Sequence, residues 1–328
     1  MRQRHNSDLD LPDSTYASLT PSPPTMLDPD LDHIHDLLVS LAKSAGVMLM
    51  TASTFTRTFT PKANTADLVT ETDHAIERML STALHETYPD YKFLGEETHI
   101  PGSTAGLTLD PTFVVDPIDG TLNFVHGYPY TSISLAFVSK RLPLVGVVYN
   151  PFTSQLYSAI AGCGAHLHVL DCHGNIQRKT RLPLRQPPPA LTGLQNALVA
   201  VEWGNERKGN NWRVKSQLFA ALAACKEDGG AMVQSIRSLG SAALNVCAVA
   251  DGTVDLYWQA GCWVWDVAAG WIILKEAGGI VASANPGDWE PRVDGRMYCF
   301  VRGARGGQEE VVEELWGLVR GRVEYPVS

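Results

Sequence analysis

The feature that most constrains this chain is an apolar run that ends in charge. In VVDPIDGTLNFVHG (residues 114–127), Phe113, Val114 and Val115 read as a buried strand, and Asp116 and Asp119 then flank Pro117 and Ile118. Proline removes a backbone donor and stops ordinary strand pairing, so both acids leave the strand end on a stiff turn. Gly120 permits a backbone geometry that other residues resist, and Thr121 is placed to cap a helix beginning at TLNFV. Two carboxylates this close repel unless they share a proton or a cation. Hard cations such as Mg²⁺ take carboxylate and carbonyl oxygens, which brings in the Ile118 carbonyl as well. An acidic, solvated turn accounts for the same residues equally well when the stretch is taken alone.

Further acids in related settings favour the metal. FLGEET (residues 93–98) puts Glu96 and Glu97 straight after another short apolar run, and WDVAAG (residues 265–270) puts Asp266 at a helix start. Each has a plain local explanation, a strand-end turn for the first and a charge at a helix N-terminus for the second.

Around these motifs the chain alternates helix and strand patterns. Ile34, Leu37, Leu38, Leu41, Ala45 and Met48 recur at helical spacing, as do Ile76, Met79, Leu80, Ala83 and Leu84. Short apolar runs at 93–94, 113–115, 133–137 and 144–148 predict a largely antiparallel sheet. Residues 178–189, with four prolines, read as a linker or long loop. Beyond it the pattern predicts strands at 197–201, 254–258 and 297–302, and helices at 212–225, 241–249, 266–276 and 308–319. The expected organisation is a disordered extension over 1–29, an α+β half over 30–190 carrying most of the acids, and an α/β half over 191–328.

The 328 residues carry a formal net charge of -9, which argues against nucleic acid or an anionic membrane as partner. An anionic substrate remains compatible if a bound cation supplies the positive charge. Six scattered cysteines without a C-x-x-C pair, no uncharged apolar run of spanning length and no signal-peptide core lead to the expectation of a cytoplasmic protein.

Taken in order, LVTETD (residues 68–73), FLGEET, DPIDGTLNFVHG, IRSLGSAALN (residues 236–245) and WDVAAG resemble the inositol monophosphatase family of Mg²⁺-dependent, lithium-sensitive phosphatases. The resemblance implies a layered α-β-α-β-α sandwich, usually a homodimer, that hydrolyses a small phosphate monoester with two to three Mg²⁺ ions per site. It implies Glu96, Asp116 and the Ile118 carbonyl as ligands of one ion, and Asp116, Asp119 and Asp266 as ligands of a second. Asp73 and Thr121 match the pair beside the attacking water, with Glu96 as a further catalytic group, and Lys62 matches a lysine near the phosphate. Gly120, Thr121, Asp119 and Asp266 fall beside the phosphate, and Gly240, Ser241 and Ala242 match a substrate-hydroxyl segment. Gln259 stands where the family has an inositol-binding glutamate, and Trp263 replaces a polar residue, so myo-inositol specificity is open. Related readings are a histidinol-phosphate phosphatase, a nucleotide 3'-phosphatase, a fungal quinate-utilisation protein or a non-catalytic regulator of the same fold. HLHVLDCH (residues 166–173) places His166 and His168 on one strand face but lacks a second ligand pair at zinc-finger spacing.

Overall fold

The structure, a computed structural model, describes residues 29–53, 60–61, 68–99 and 106–326. The expected extension over 1–29 and the candidate Lys62 therefore lie, all but the last residue of the extension, outside the described residues. From Leu31 onward the chain forms one compact unit.

In the first half, α1 (Leu31–Ser53) leads to a short antiparallel ladder of β1 (Thr60–Pro61) and β2 (Leu68–Val69), then to α2 (Glu71–Thr87). β3 (Lys92–Gly95), β4 (Thr112–Asp119), the short helix α3 (Thr121–His126), β5 (Ser132–Ser139), β6 (Leu142–Asn150), β7 (Gln155–Ile160), β8 (Gly164–Leu170) and β9 (Ile176–Arg181) follow. The seven strands β3 to β9 lie side by side in sequence order, with β3 parallel to β4 and every other pair antiparallel.

In the second half, β10 (Leu198–Val201), α4 (Gly209–Ala223), β11 (Ser235–Arg237), α5 (Ala242–Asp251), β12 (Leu256–Ala260), α6 (Val264–Glu276), β13 (Ile280–Ala282), β14 (Met297–Val301) and α7 (Gln308–Leu318) build a mixed five-stranded sheet of order β11-β10-β12-β14-β13.

The pleat sorts the side chains into layers. On β5, Ile133, Leu135 and Phe137 pack with α1 and α2, whereas Ala136 and Val138 face the other way into a core shared with α5 and α6. That central core also takes Tyr257 and Phe300 from the five-stranded sheet. The opposite face of that sheet, with Val199, Leu256 and Trp258, packs on α4 and α7. The result is the expected α-β-α-β-α sandwich. Gly146 of β6 makes the central contact close, because a Cβ there would stand 2.4 Å from the Ala269 carbonyl oxygen of α6.

Local differences from the sequence reading have clear causes. Residues 178–181 belong to β9 and are not a loop; IQRKTR is almost wholly exposed, so no apolar alternation marks it, and pairing with β8 alone makes it a strand. β12 begins at Leu256, two residues later than the apolar run suggested, because Asp255 accepts from Leu198 N–H and takes part in the turn. Thr121 does not cap α3: Gly120 occupies the cap with φ 90°, and the Thr121 hydroxyl donates instead to the Ile118 carbonyl at 3.0 Å. α1 is long and apolar enough to pass as a membrane span by length and composition, although Asp32, Asp36 and Lys43 interrupt it, so it is not an uncharged run. Its Ile34, Leu38, Ala42, Ala45 and Leu49 are buried in the core against the seven-stranded sheet.

Candidate active site

The parallel pairing of β3 with β4 answers the question raised by the acids. Gly95 is in register with Val115, and Glu96 N–H donates to the Val115 carbonyl at 3.2 Å. Parallel strands end at the same edge, so the acids that follow them, Glu96 and Asp116, meet there. The β4–β5 register then shifts between Asp116 and Asp119, a bulge that takes Pro117 and Ile118 out of the ladder. Asp116 is turned toward α6 and buried, and its Oδ1 accepts the Ile118 N–H at 3.0 Å.

Asp119 sits at the start of α5, where Ala242 and Ala243 N–H groups donate to it at 3.2 and 2.8 Å and Ser241 adds its hydroxyl. A helix N-terminus favours a negative charge in this place. Asp266, in the first turn of α6, accepts the Trp263 N–H at 2.5 Å. Carboxylate oxygens of Asp116, Asp119 and Asp266 all lie within 4.8 Å of one another. Glu96 shares a hydrogen bond with Asp116, as does Asp266.

Burial pushes the carboxyls of Asp116 and Asp266 well above the usual range, and the neighbouring acids push them further. Burial also raises Asp119, to about 6, against the hydrogen bonds from Ser241 and α5 that pull it down. Two unit charges about 4 Å apart repel by roughly 4 kcal/mol even at an effective dielectric near 20. The cluster therefore holds its full charge only with a cation. The donors are all oxygens, the chemistry that suits Mg²⁺, Mn²⁺ or Ca²⁺ and not a soft metal. The residues present fit a divalent cation.

Asp73 stands beside this cluster in an unusual double role. It completes a capping box at the start of α2, where its Oδ2 accepts from Thr70 N–H at 3.0 Å and from the Thr70 hydroxyl. Its Oδ1 is left for the Thr121 hydroxyl, 3.3 Å away. Burial, with a smaller contribution from Glu96, raises Asp73 to about 6 despite the Thr70 bonds. Thr121 is shared between Asp73 and the Ile118 carbonyl, which ties the pair to the acid cluster.

The segment 240–242 reaches the site, but its donors are occupied by acids. Ser241 and Ala242 donate to Asp119, and Gly240 N–H donates to Glu202 at 2.8 Å. Gln259 is buried on β12 with its Oε1 lacking a hydrogen-bond partner. Trp263 is half-buried and stacks on Trp265 at 5.2 Å. His166 and His168 do share a face of β8 but do not gather three metal donors with other described residues; His168 and His35 both meet the hydroxyl of Ser158.

Glu202 escaped the sequence reading. It holds the loop before α5 by accepting from Leu239 N–H, Gly240 N–H and the Asn245 amide at 2.7, 2.8 and 2.8 Å. The signal was present, since ALVAVE (residues 197–202) is another apolar run ending in an acid.

Fold and site together define a layered protein with a cluster of oxygen donors fit for a divalent cation where its central helices meet the seven-stranded sheet. A profile of the inositol monophosphatase family matches residues 30–320. Inositol monophosphatase 2 of Saccharomyces cerevisiae is 40% identical over 302 residues, covering 90% of this chain and 98% of that one. Protein qutG of Emericella nidulans is 37% identical over 320 residues, covering 89% and 94%. Among solved structures, an IMPase from Thermotoga maritima superposes with a TM-score of 0.66 at 28% identity, covering 88% of this chain and 98% of that one. The chain belongs to the inositol monophosphatase family.

Proposed function

We propose that this protein is a Mg²⁺-dependent phosphomonoesterase that hydrolyses inositol monophosphate or a similar small polyol phosphate with a metal-activated water. The observation that carries the reading is the convergence of Asp116, Asp119 and Asp266 within 4.8 Å, with the Asp73–Thr121 pair joined to them through the Ile118 carbonyl. Glu96, Asp116, Asp119, Asp266 and the Ile118 carbonyl would hold two to three Mg²⁺ ions. When bound, these ions supply positive charge to the phosphate and the departing alkoxide and make water more acidic. The chain's own residues orient the nucleophile. A water that donates to Thr121 Oγ1, whose hydroxyl is shared between the Ile118 carbonyl and Asp73, lies beside a carboxylate raised to about 6 that can take its proton. Glu96 is the second candidate acceptor. Lys62 is assigned near the phosphate by the family resemblance. The protein acts as a cytoplasmic homodimer in this reading, and Li⁺ inhibits it.

A second reading within the family is supported by one pair of residues. Gln259 can hydrogen-bond a substrate hydroxyl but brings no charge, and Trp263 puts an indole where the family has a polar residue, which suits a polyol phosphate other than inositol's.

The test is phosphate release from a panel of monoesters, including inositol 1-phosphate, histidinol phosphate and a nucleoside 3'-phosphate, with Mg²⁺ and with or without Li⁺. The expected result is Mg²⁺-dependent, Li⁺-sensitive release from a polyol phosphate, lost in Asp116→Asn. Absence of release from every monoester would overturn the enzyme reading. Release from histidinol phosphate or the nucleotide alone would overturn the substrate.

A further inference from the structure

The C-terminal residues beyond the family match, which ends at 320, form a strap tied down on both sides. Asn211 exchanges hydrogen bonds with Glu324, its amide donating to the Glu324 carbonyl and its oxygen accepting the Glu324 N–H, each at 2.9 Å. Asn285 does the same for Val323, again at 2.9 Å in each direction. These pairings present Tyr325 to the turn between β12 and α6. A Cβ at Gly261 would lie 2.8 Å from the Tyr325 ring, and Gly261 has φ 101°, so the ring sits directly on that turn.

The same ring flanks Arg296, whose guanidinium carbon is 5.1 Å from its centroid and only 3.6 Å from that of Trp263. Arg296 also donates to the Gly261 carbonyl at 2.9 Å, and its Nε is buried without a partner. Trp263 in turn stacks on Trp265, and His99 leans on both indoles at 5.2 Å. A continuous column of rings and cation thus runs from the C-terminal strap to the turn that carries Glu96. In its middle is the Trp263 N–H that holds Asp266 Oδ2.

We propose that Tyr325 and Arg296 are positioning residues for Asp266: the strap presses the Gly261–Trp263 turn into place, and the turn's N–H fixes the carboxylate that completes the cation site. The inference rests on the metal reading given above and adds to it a part of the chain outside the family match. Partners that orient a ligand typically change metal affinity by roughly 10- to 100-fold when removed.

The test is Mn²⁺ binding to the full-length protein, read from the paramagnetic resonance signal of free Mn²⁺. Tyr325→Ala is expected to weaken binding about tenfold, whereas Tyr325→Phe, which keeps the ring and loses only the hydroxyl's hydrogen bonds to Glu206 and Asn211, stays within about twofold. Asn211→Ala, which loosens the strap and leaves the ring, shifts affinity in the same direction and carries the test should Tyr325→Ala fail to fold. Val312→Ala, in the core between α7 and the five-stranded sheet, lowers the melting temperature without changing Mn²⁺ affinity. Unchanged affinity in both strap variants overturns the inference alone, as does an equal loss in Val312→Ala. A wild-type protein that binds no Mn²⁺ overturns the metal reading and this inference together.

Discussion

At the scale of single residues, Asp116 shows how a site can oppose the fold that carries it. Its carboxyl is buried among Glu96, Asp119 and Asp266, and its raised pKa records the cost of charging it there. Asp116→Asn keeps the shape and removes that charge. The expected outcome is a metal-free protein that melts several degrees higher than wild type, by about 1–2 kcal/mol of relieved repulsion. Mg²⁺-dependent phosphate release falls by roughly a hundredfold or more. Calorimetry and the phosphate assay read the two effects separately. Gly120 is the contrasting case, a residue whose backbone geometry the turn demands. With φ 90° and the Gly240 and Tyr130 carbonyls only 3.0 and 3.1 Å from a Cβ position, Gly120→Ala is expected to cost about 1–3 kcal/mol in urea unfolding. Both residues stood out in the sequence because their roles are local: a charge where apolar residues should continue, and a glycine where the turn requires one. What Asp119 does was hidden. Its partners on α5 come from far along the chain, and nothing near VVDPIDG announces that its second acid will cap a helix.

Among the elements, the long periodic ones were legible and the short or edge ones were not. α1, α2, β5 and β6 carry apolar residues at the spacing their burial demands. β7 and β13 went unmarked because a few apolar residues inside a core fit more than one structure, and β9 because both of its faces are wet. Beside β9 lies a buried imidazole with its own pH signature. Burial lowers His168 to about 4 from the ordinary 6.5, helped by Lys179 of β9, His166 of β8, and His35 and Lys43 of α1. Because the folded state disfavours the protonated ring, this contribution is fully present above about pH 6.5 and is lost as the pH falls toward 4. His168→Gln is expected to flatten the stability profile across that window, measured by urea midpoints at several pH values. The packing of α6 makes a second prediction. Gly146→Ala puts a methyl group into the Ala269 carbonyl and must push α6 off β6, lowering stability by about 1–3 kcal/mol and weakening Mg²⁺ binding, because Asp266 rides on that helix.

For the molecule as a whole, the layered architecture was legible because successive blocks of pattern, helices then strands then alternating units, match the layers one by one. The reach of the central helices across both sheets was not, since no local pattern tells a helix how many faces it will bury. A cation that binds only the folded state should raise stability, and with it the melting temperature, logarithmically with its concentration, by about 2.7 kcal/mol at one hundred times its dissociation constant. Asp116→Asn should lose that response in the same calorimetric titration. The placement of the ligands along the chain has a consequence for the protein's synthesis. Glu96, Asp116 and Asp119 emerge from the ribosome long before Asp266, and domains form from the N-terminal side first. Until α6 is made, the chain carries three of these acids without Asp266, and the oxygen-donor set that fits a cation is incomplete. A cation held by the full set would tie residues 96–119 to residue 266, and so clasp the edge of the seven-stranded sheet to the helix that leads into β13.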